Sequence, residues 1–77
     1  MARGPSAKRV LADNLRLLRL KQRLSQNVLA DEAGVTQALV SAIERGRANP
    51  TVESLERLAV VLGVRISELF QEGEGRK

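Results

Sequence analysis

Leu11, Leu15 and Leu18 recur at i, i+4 and i+7, and this apolar stripe predicts a first amphipathic helix that follows an arm containing Gly4 and Pro5 and ends near Arg23. Its outer face carries Lys8, Arg9, Arg16 and Lys21. Ser25 offers a hydroxyl cap to a second helix, with Leu24 before the cap and Leu29 at the fourth helical position as a hydrophobic staple. Gly34 stops that helix. The same grammar repeats at once: Thr36 caps a third helix, with Val35 and Val40 as the staple, and Gly46 stops it. After the loop RANP, Thr51 caps a fourth helix whose stripe is Leu55, Leu58, Ala59 and Leu62, closed by Gly63. Ile66, Leu69 and Phe70 then predict a short fifth helix begun near Ser67 or just before it. The expected organisation is a basic arm over 1–7, an all-α five-helix domain over 8–71 and a polar tail over 72–77.

The second and third helices satisfy the steric demands of a helix-turn-helix. Two short helices crossing steeply need a small residue where they touch, a glycine in the turn and an aliphatic residue locking the second onto the first. Ala30, Gly34 and Val40 occupy those positions, and Leu29, Val35 and Ile43 complete the apolar underside. The opposite face of the third helix, with Gln37, Ala38, Ser41 and Ala42, is left free to enter a DNA major groove. Leu39 borders the core stripe and reads as a packing residue.

Bulk properties narrow the chemistry. A chain of 77 residues holds one domain with a marginal core, so a partner subunit is expected on size. With 43% apolar residues and Phe70 as the one aromatic, that core must be built from Leu, Val, Ile and Ala, which suits closely packed helices. The absence of Cys and His removes disulfides, thiolate chemistry, zinc fingers and imidazole catalysis. Asp31 and Glu32 adjoin on one helix instead of converging across a cleft, so no acid/base pair or metal cluster is expected, and no cofactor or enzyme activity. No stretch reaches the roughly 18 apolar residues of a membrane span, and MARGPSAKR lacks a secretory apolar region, so a cytoplasmic protein is expected. Net charge is +4, and residues 1–25 carry seven Lys/Arg against Asp13 alone. A positive field clustered in this way is what phosphate attraction requires, although a solvated helix surface produces charge runs too.

Six short pieces, LSQ at Leu24 to Gln26, LA at Leu29 and Ala30, AGV at Ala33 to Val35, IERG at Ile43 to Gly46, NP at Asn49 and Pro50, and LGV at Leu62 to Val64, carry a family resemblance. From about Leu11 to Leu69 the chain closely resembles the lambda-repressor-like Cro/repressor (XRE) helix-turn-helix family, whose small stand-alone members include phage repressors, antitoxins and restriction-modification controller proteins. The resemblance implies a sequence-specific regulator of transcription. It also implies that Arg19 and Glu44 pair to brace the third helix, that Gln26 contacts a phosphate while supporting the start of that helix, and that Gln37 is the leading base reader. A glutamine amide can bond adenine bidentately. Ala38 and Ala42 stand where relatives often carry Gln, Arg or Ser, so they contact thymine methyls or leave specificity to DNA deformability. Ser41 could bond a base edge or a phosphate, or remain solvated. Ser25, Arg45, Arg47 and Asn49 match backbone-gripping positions, with capping a sufficient explanation for Ser25 and solvent exposure the alternative for the arginines. Arg3, Lys8 and Arg9 could reach phosphates or the minor groove.

Val60, Val61, Val64, Ile66, Leu69 and Phe70 lie close together near the end of the domain and predict a two-fold dimer seam. A homodimer would set two recognition helices one DNA turn apart and call for a pseudo-palindromic double-stranded operator. RNA polymerase or a second protein would be the further partner. The competing reading is a protein-interaction module, such as a toxin-neutralising antitoxin that also represses its own operon.

Overall fold

The computed structural model describes residues 4 and 6–73. Arg3 and most of the expected arm, and residues 74–77 of the expected tail, lie outside the described residues. The chain forms α1 (Ala7–Lys21), α2 (Gln26–Ala33), α3 (Gln37–Glu44) and α4 (Val52–Leu62), followed by a 3-10 segment over Ile66–Phe70. The architecture is therefore all-helical among the described residues, with four α-helices and a 3-10 turn where five helices were expected.

Each α-helix start is made by a hydroxyl that accepts from the backbone amide three residues on. Ser25 accepts from Val28, Thr36 from Leu39 and Thr51 from Ser54, each at 3.0 Å, as the sequence pattern predicts. Ser6 does the same for α1, accepting from Arg9 at 3.1 Å, so that helix begins one residue before the expected domain boundary. Gly34 ends α2 in the left-handed conformation at φ +72°, and Val35 turns back to donate to the Ala30 carbonyl at 3.0 Å.

The core is one cluster. Leu11 and Leu15 of α1, Leu29, Ala30 and Ala33 of α2, Val40 and Ile43 of α3 and Leu55, Leu58, Ala59 and Leu62 of α4 are all buried in it. α3 packs on both α2 and α1, α4 packs on α2, and the 3-10 segment packs on α1 and α4. Asn14, buried on α1, ties this last element down by donating both amide hydrogens, to the Leu69 and Gln71 carbonyls, each at 2.9 Å. Gln22 makes a similar clasp to the Leu62 carbonyl at 2.7 Å.

One expectation is overturned here. Leu69 is 0% exposed and belongs to the core of the single chain, so it has no surface to give to a dimer seam. Residues i and i+3 of a 3-10 helix eclipse one another, so Leu69 follows Ile66 inward while Phe70 is turned out at 39% exposure. Val61, Val64 and Ile66 are half-buried against the same core, whereas Val60, on the far side of α4, is 77% exposed.

Candidate nucleic-acid interface

The outer face of α3 is built by what its inner face must do. Burying Val40 and Ile43, and half-burying Leu39, turns Gln37, Ala38, Ser41, Ala42 and Arg45 to the opposite side, at i, i+1, i+4, i+5 and i+8. Gln37, Ala38 and Arg45 are exposed, and Ser41 and Ala42 are half-exposed. Gly46 at φ +72° then carries the chain sharply off the helix, with Arg47 donating back to the Ala42 carbonyl at 2.9 Å. Arg47 and Asn49 are exposed on the loop that follows. Ser25 is exposed at the start of α2, its oxygen engaged as the cap, and Gln26 is half-buried beside it.

Behind this face lies an ion pair. Arg19 reaches from α1 to Glu44 at the end of α3 with two parallel bonds, Nε to Oε2 at 2.6 Å and Nη2 to Oε1 at 2.9 Å. Its remaining Nη1 donates to the Leu24 carbonyl at 2.8 Å, so one guanidinium ties α1, the α1–α2 turn and α3 together. The two side chains are 10% and 2% exposed. The Glu44 hydrogen bond is the main reason that the Arg19 guanidinium is held above its ordinary pKa; burial opposes it and the carboxylate's charge adds to it. An arginine is charged at neutral pH in any case, and the pair with Glu44 holds it more firmly so.

The pair is extended to the surface by two amides. Gln26 Nε2 donates to Glu44 Oε1 at 3.1 Å, and Gln37 Nε2 donates to Gln26 Oε1, also at 3.1 Å. The direction is dictated from the buried end. An ionised carboxylate only accepts, so Gln26 must show it the NH2 group, which turns the Gln26 oxygen outward and obliges Gln37 to present its own NH2. Gln37 keeps one N–H and its carbonyl oxygen for an outside partner. One donor beside one acceptor is the pattern that matches the adenine edge in the major groove.

The family resemblance implies the Arg19–Glu44 pair and the support of Gln26 for the start of α3, and the structure joins all four residues, Arg19, Glu44, Gln26 and Gln37, into one line. The Gln26–Glu44 bond itself has no sequence signal, because its partners are 18 residues apart and meet only through the packing of α2 on α3. The Asn14 and Gln22 clasps carry no sequence signal for the same reason. Among the described residues no His, Cys, Asp and Glu cluster could hold a metal, and no helix is long and apolar enough to cross a membrane.

The fold has known relatives. The helix-turn-helix model HTH_3 matches residues 15–69. A hypothetical transcription factor of Neisseria meningitidis is 41% identical over 61 residues, which cover 79% of this chain and 58% of the relative; this chain thus spans less than two thirds of that protein's length. The crystal structure of a hypothetical transcription factor from Neisseria superposes with a TM-score of 0.87 at 35% identity, covering 99% of this chain and 91% of that one. The restriction-modification controller protein C.AhdI of Aeromonas hydrophila gives a TM-score of 0.79 at 33% identity, covering 82% of this chain and 96% of that one. The chain belongs to the lambda-repressor-like Cro/repressor (XRE, HTH_3) helix-turn-helix family.

Proposed function

We propose that the protein is a transcriptional regulator that binds double-stranded DNA sequence-specifically, as a homodimer on a pseudo-palindromic operator, with α3 in the major groove. The observation that carries this reading is the line Arg19–Glu44–Gln26–Gln37, which leaves an exposed amide with a fixed donor and acceptor on an otherwise smooth helix face. Gln37 reads adenine, Ala38 and Ala42 lie against thymine methyls, and Ser41 bonds a base edge or a phosphate. Gln26 has a second N–H for a phosphate, the Ser25 hydroxyl proton supplies another donor, and Arg45, Arg47 and Asn49 grip the backbone beyond α3. Val60 and Phe70 supply the exposed apolar groups of the dimer contact, with Val61, Val64 and Ile66 flanking them. Two-fold symmetry would place the recognition helices about 34 Å apart. The regulator would work in the cytoplasm, through its own concentration, RNA polymerase or a second protein.

The test is selection of bound duplexes from a random DNA pool, followed by a search for the recovered site upstream of the protein's own gene and its neighbours. An inverted repeat with an adenine at a fixed place in each half-site is the expected result, overlapping a promoter if the protein represses and lying just upstream if it activates. A pool that shows no enriched motif overturns the reading.

A further inference from the structure

The guanidinium of Arg9, from the first turn of α1, lies beside the end of the recognition helix: a Cβ placed on Gly46 would sit 3.9 Å from Arg9 Nη2. Gly46 is the turn between Arg45 and Arg47, so a cation from the far end of the sequence lies beside the backbone turn that carries both arginines. Lys8, the next residue back, lines one cleft with Asn49 of the same loop. Several like charges drawn to one small surface repel one another unless an anion lies among them. The structure supplies one at the edge of the group. Asp13 Oδ1 stands 3.5 Å from Arg9 Nη1, one helical turn along, with the side chains 45% and 59% exposed. So long and open a contact is readily exchanged for another. A phosphodiester oxygen has the chemistry of that carboxylate, an anion that accepts from the guanidinium fork, and the bare Gly46 keeps the approach from α3 open.

We propose that Arg9 is a further DNA-backbone ligand, completing with Arg45 and Arg47 a single phosphate grip around Gly46, and that Asp13 stands in for the phosphate while the protein is free. The proposal rests on the DNA-binding reading above. Binding exchanges one anion for another at Arg9, so Asp13 weakens DNA affinity by competing, although it is itself remote from base recognition. The opposite signs expected at two residues of one ion pair distinguish this role from a surface salt bridge that merely supports α1.

The experiment is fluorescence anisotropy of a short random-sequence duplex across a potassium chloride series, with thermal unfolding of each variant as the folding control. Arg9→Gln is expected to weaken binding and to make the slope of log affinity against log salt shallower by about 0.9, the value of one phosphate contact, while Arg9→Lys keeps the slope. Asp13→Asn is expected to raise affinity about 1.4- to five-fold, the range to which a surface ion pair converts. That gain should vanish when Arg9→Gln is also present. An unchanged slope in Arg9→Gln overturns the contact, and an Asp13→Asn gain that persists in the double variant overturns the stand-in. A wild-type protein that binds no duplex overturns the DNA-binding reading instead, whereas wild-type binding with Arg9→Gln indistinguishable from it sinks this inference alone.

Discussion

Gln26 donates to Glu44 at 3.1 Å, and through that one bond a buried carboxylate decides which way round an exposed amide faces. Without it the Gln26 side chain could rotate by half a turn at little cost, and Gln37 would follow. With it, the only low-energy arrangement leaves Gln37 with a donor and an acceptor in fixed places. Pre-ordering of this kind lowers the side-chain entropy lost on binding, which costs about 0.5–1.5 kcal/mol for each immobilised long side chain.

Gln26→Met keeps the length of the side chain and removes both amide groups, so the fold should survive while Gln37 loses its guide. Affinity for the best operator is expected to fall about tenfold, with most of the loss at the adenine position. Binding of a panel of single-base operator variants checks it, and an evenly distributed loss would make Gln26 a phosphate contact alone.

Arg19→Ala leaves Glu44 buried without its countercharge and frees the Leu24 carbonyl, at an expected cost of about 3 kcal/mol. In a domain of this size that lowers the melting temperature by roughly 12 °C or more. Replacing both partners, Arg19→Leu with Glu44→Met, should recover much of this stability because no buried charge remains. The double variant should still discriminate poorly between operators, since nothing then orients Gln26. Thermal melts beside operator binding measure the two effects separately.

Gly34→Ala and Arg23→Gly should move stability in opposite directions. Gly34 sits at φ +72°, where an added methyl would meet only ordinary contact with Arg57 at 3.7 Å, so the cost is backbone strain, about 1 kcal/mol. Arg23, just past the end of α1 at φ +59°, is the non-glycine residue in the same region among the described residues. Glycine there should stabilise by roughly 0.5–1 kcal/mol, read from urea midpoints at unchanged slope.

What the sequence made legible was local. Caps at Ser25, Thr36 and Thr51 act over three residues, and the buried stripe Leu55, Leu58, Ala59, Leu62 follows from helical periodicity, so both are written in consecutive positions. Arg19 and Glu44 could be paired only through the family resemblance, and the Asn14 clasp on the Leu69 and Gln71 carbonyls not at all, because it joins residues 55 and 57 positions apart. Leu69 was misplaced for a reason of pitch. Its nearness in sequence to Val64, Ile66 and Phe70 suggests a shared surface, but at three residues per turn it eclipses Ile66 and turns into the core while Phe70 points out.

Leu69 and Val60 should therefore answer differently to a charge. Leu69→Asp buries a carboxylate in the core and is expected to unfold the domain, whereas Val60→Glu, at 77% exposure, should leave melting of the single chain nearly unchanged. If α4 forms the seam, Val60→Glu makes a monomer at micromolar concentration by sedimentation and lowers full-operator affinity by orders of magnitude, because linked half-sites lose their effective concentration. A Val60→Glu protein that sediments as the wild type does removes this seam.

The most direct measurement is affinity of wild type and Gln37→Ala for the selected operator, for each single-base variant of one half-site, and for random duplex. Removing the oriented amide should cost roughly 1–3 kcal/mol on the best operator, flatten the preference at one base pair per half-site, and leave random-duplex binding almost unchanged. Equal losses on operator and random duplex would contradict the account, because Gln37 would then hold the DNA backbone and the line from Arg19 would orient no base reader.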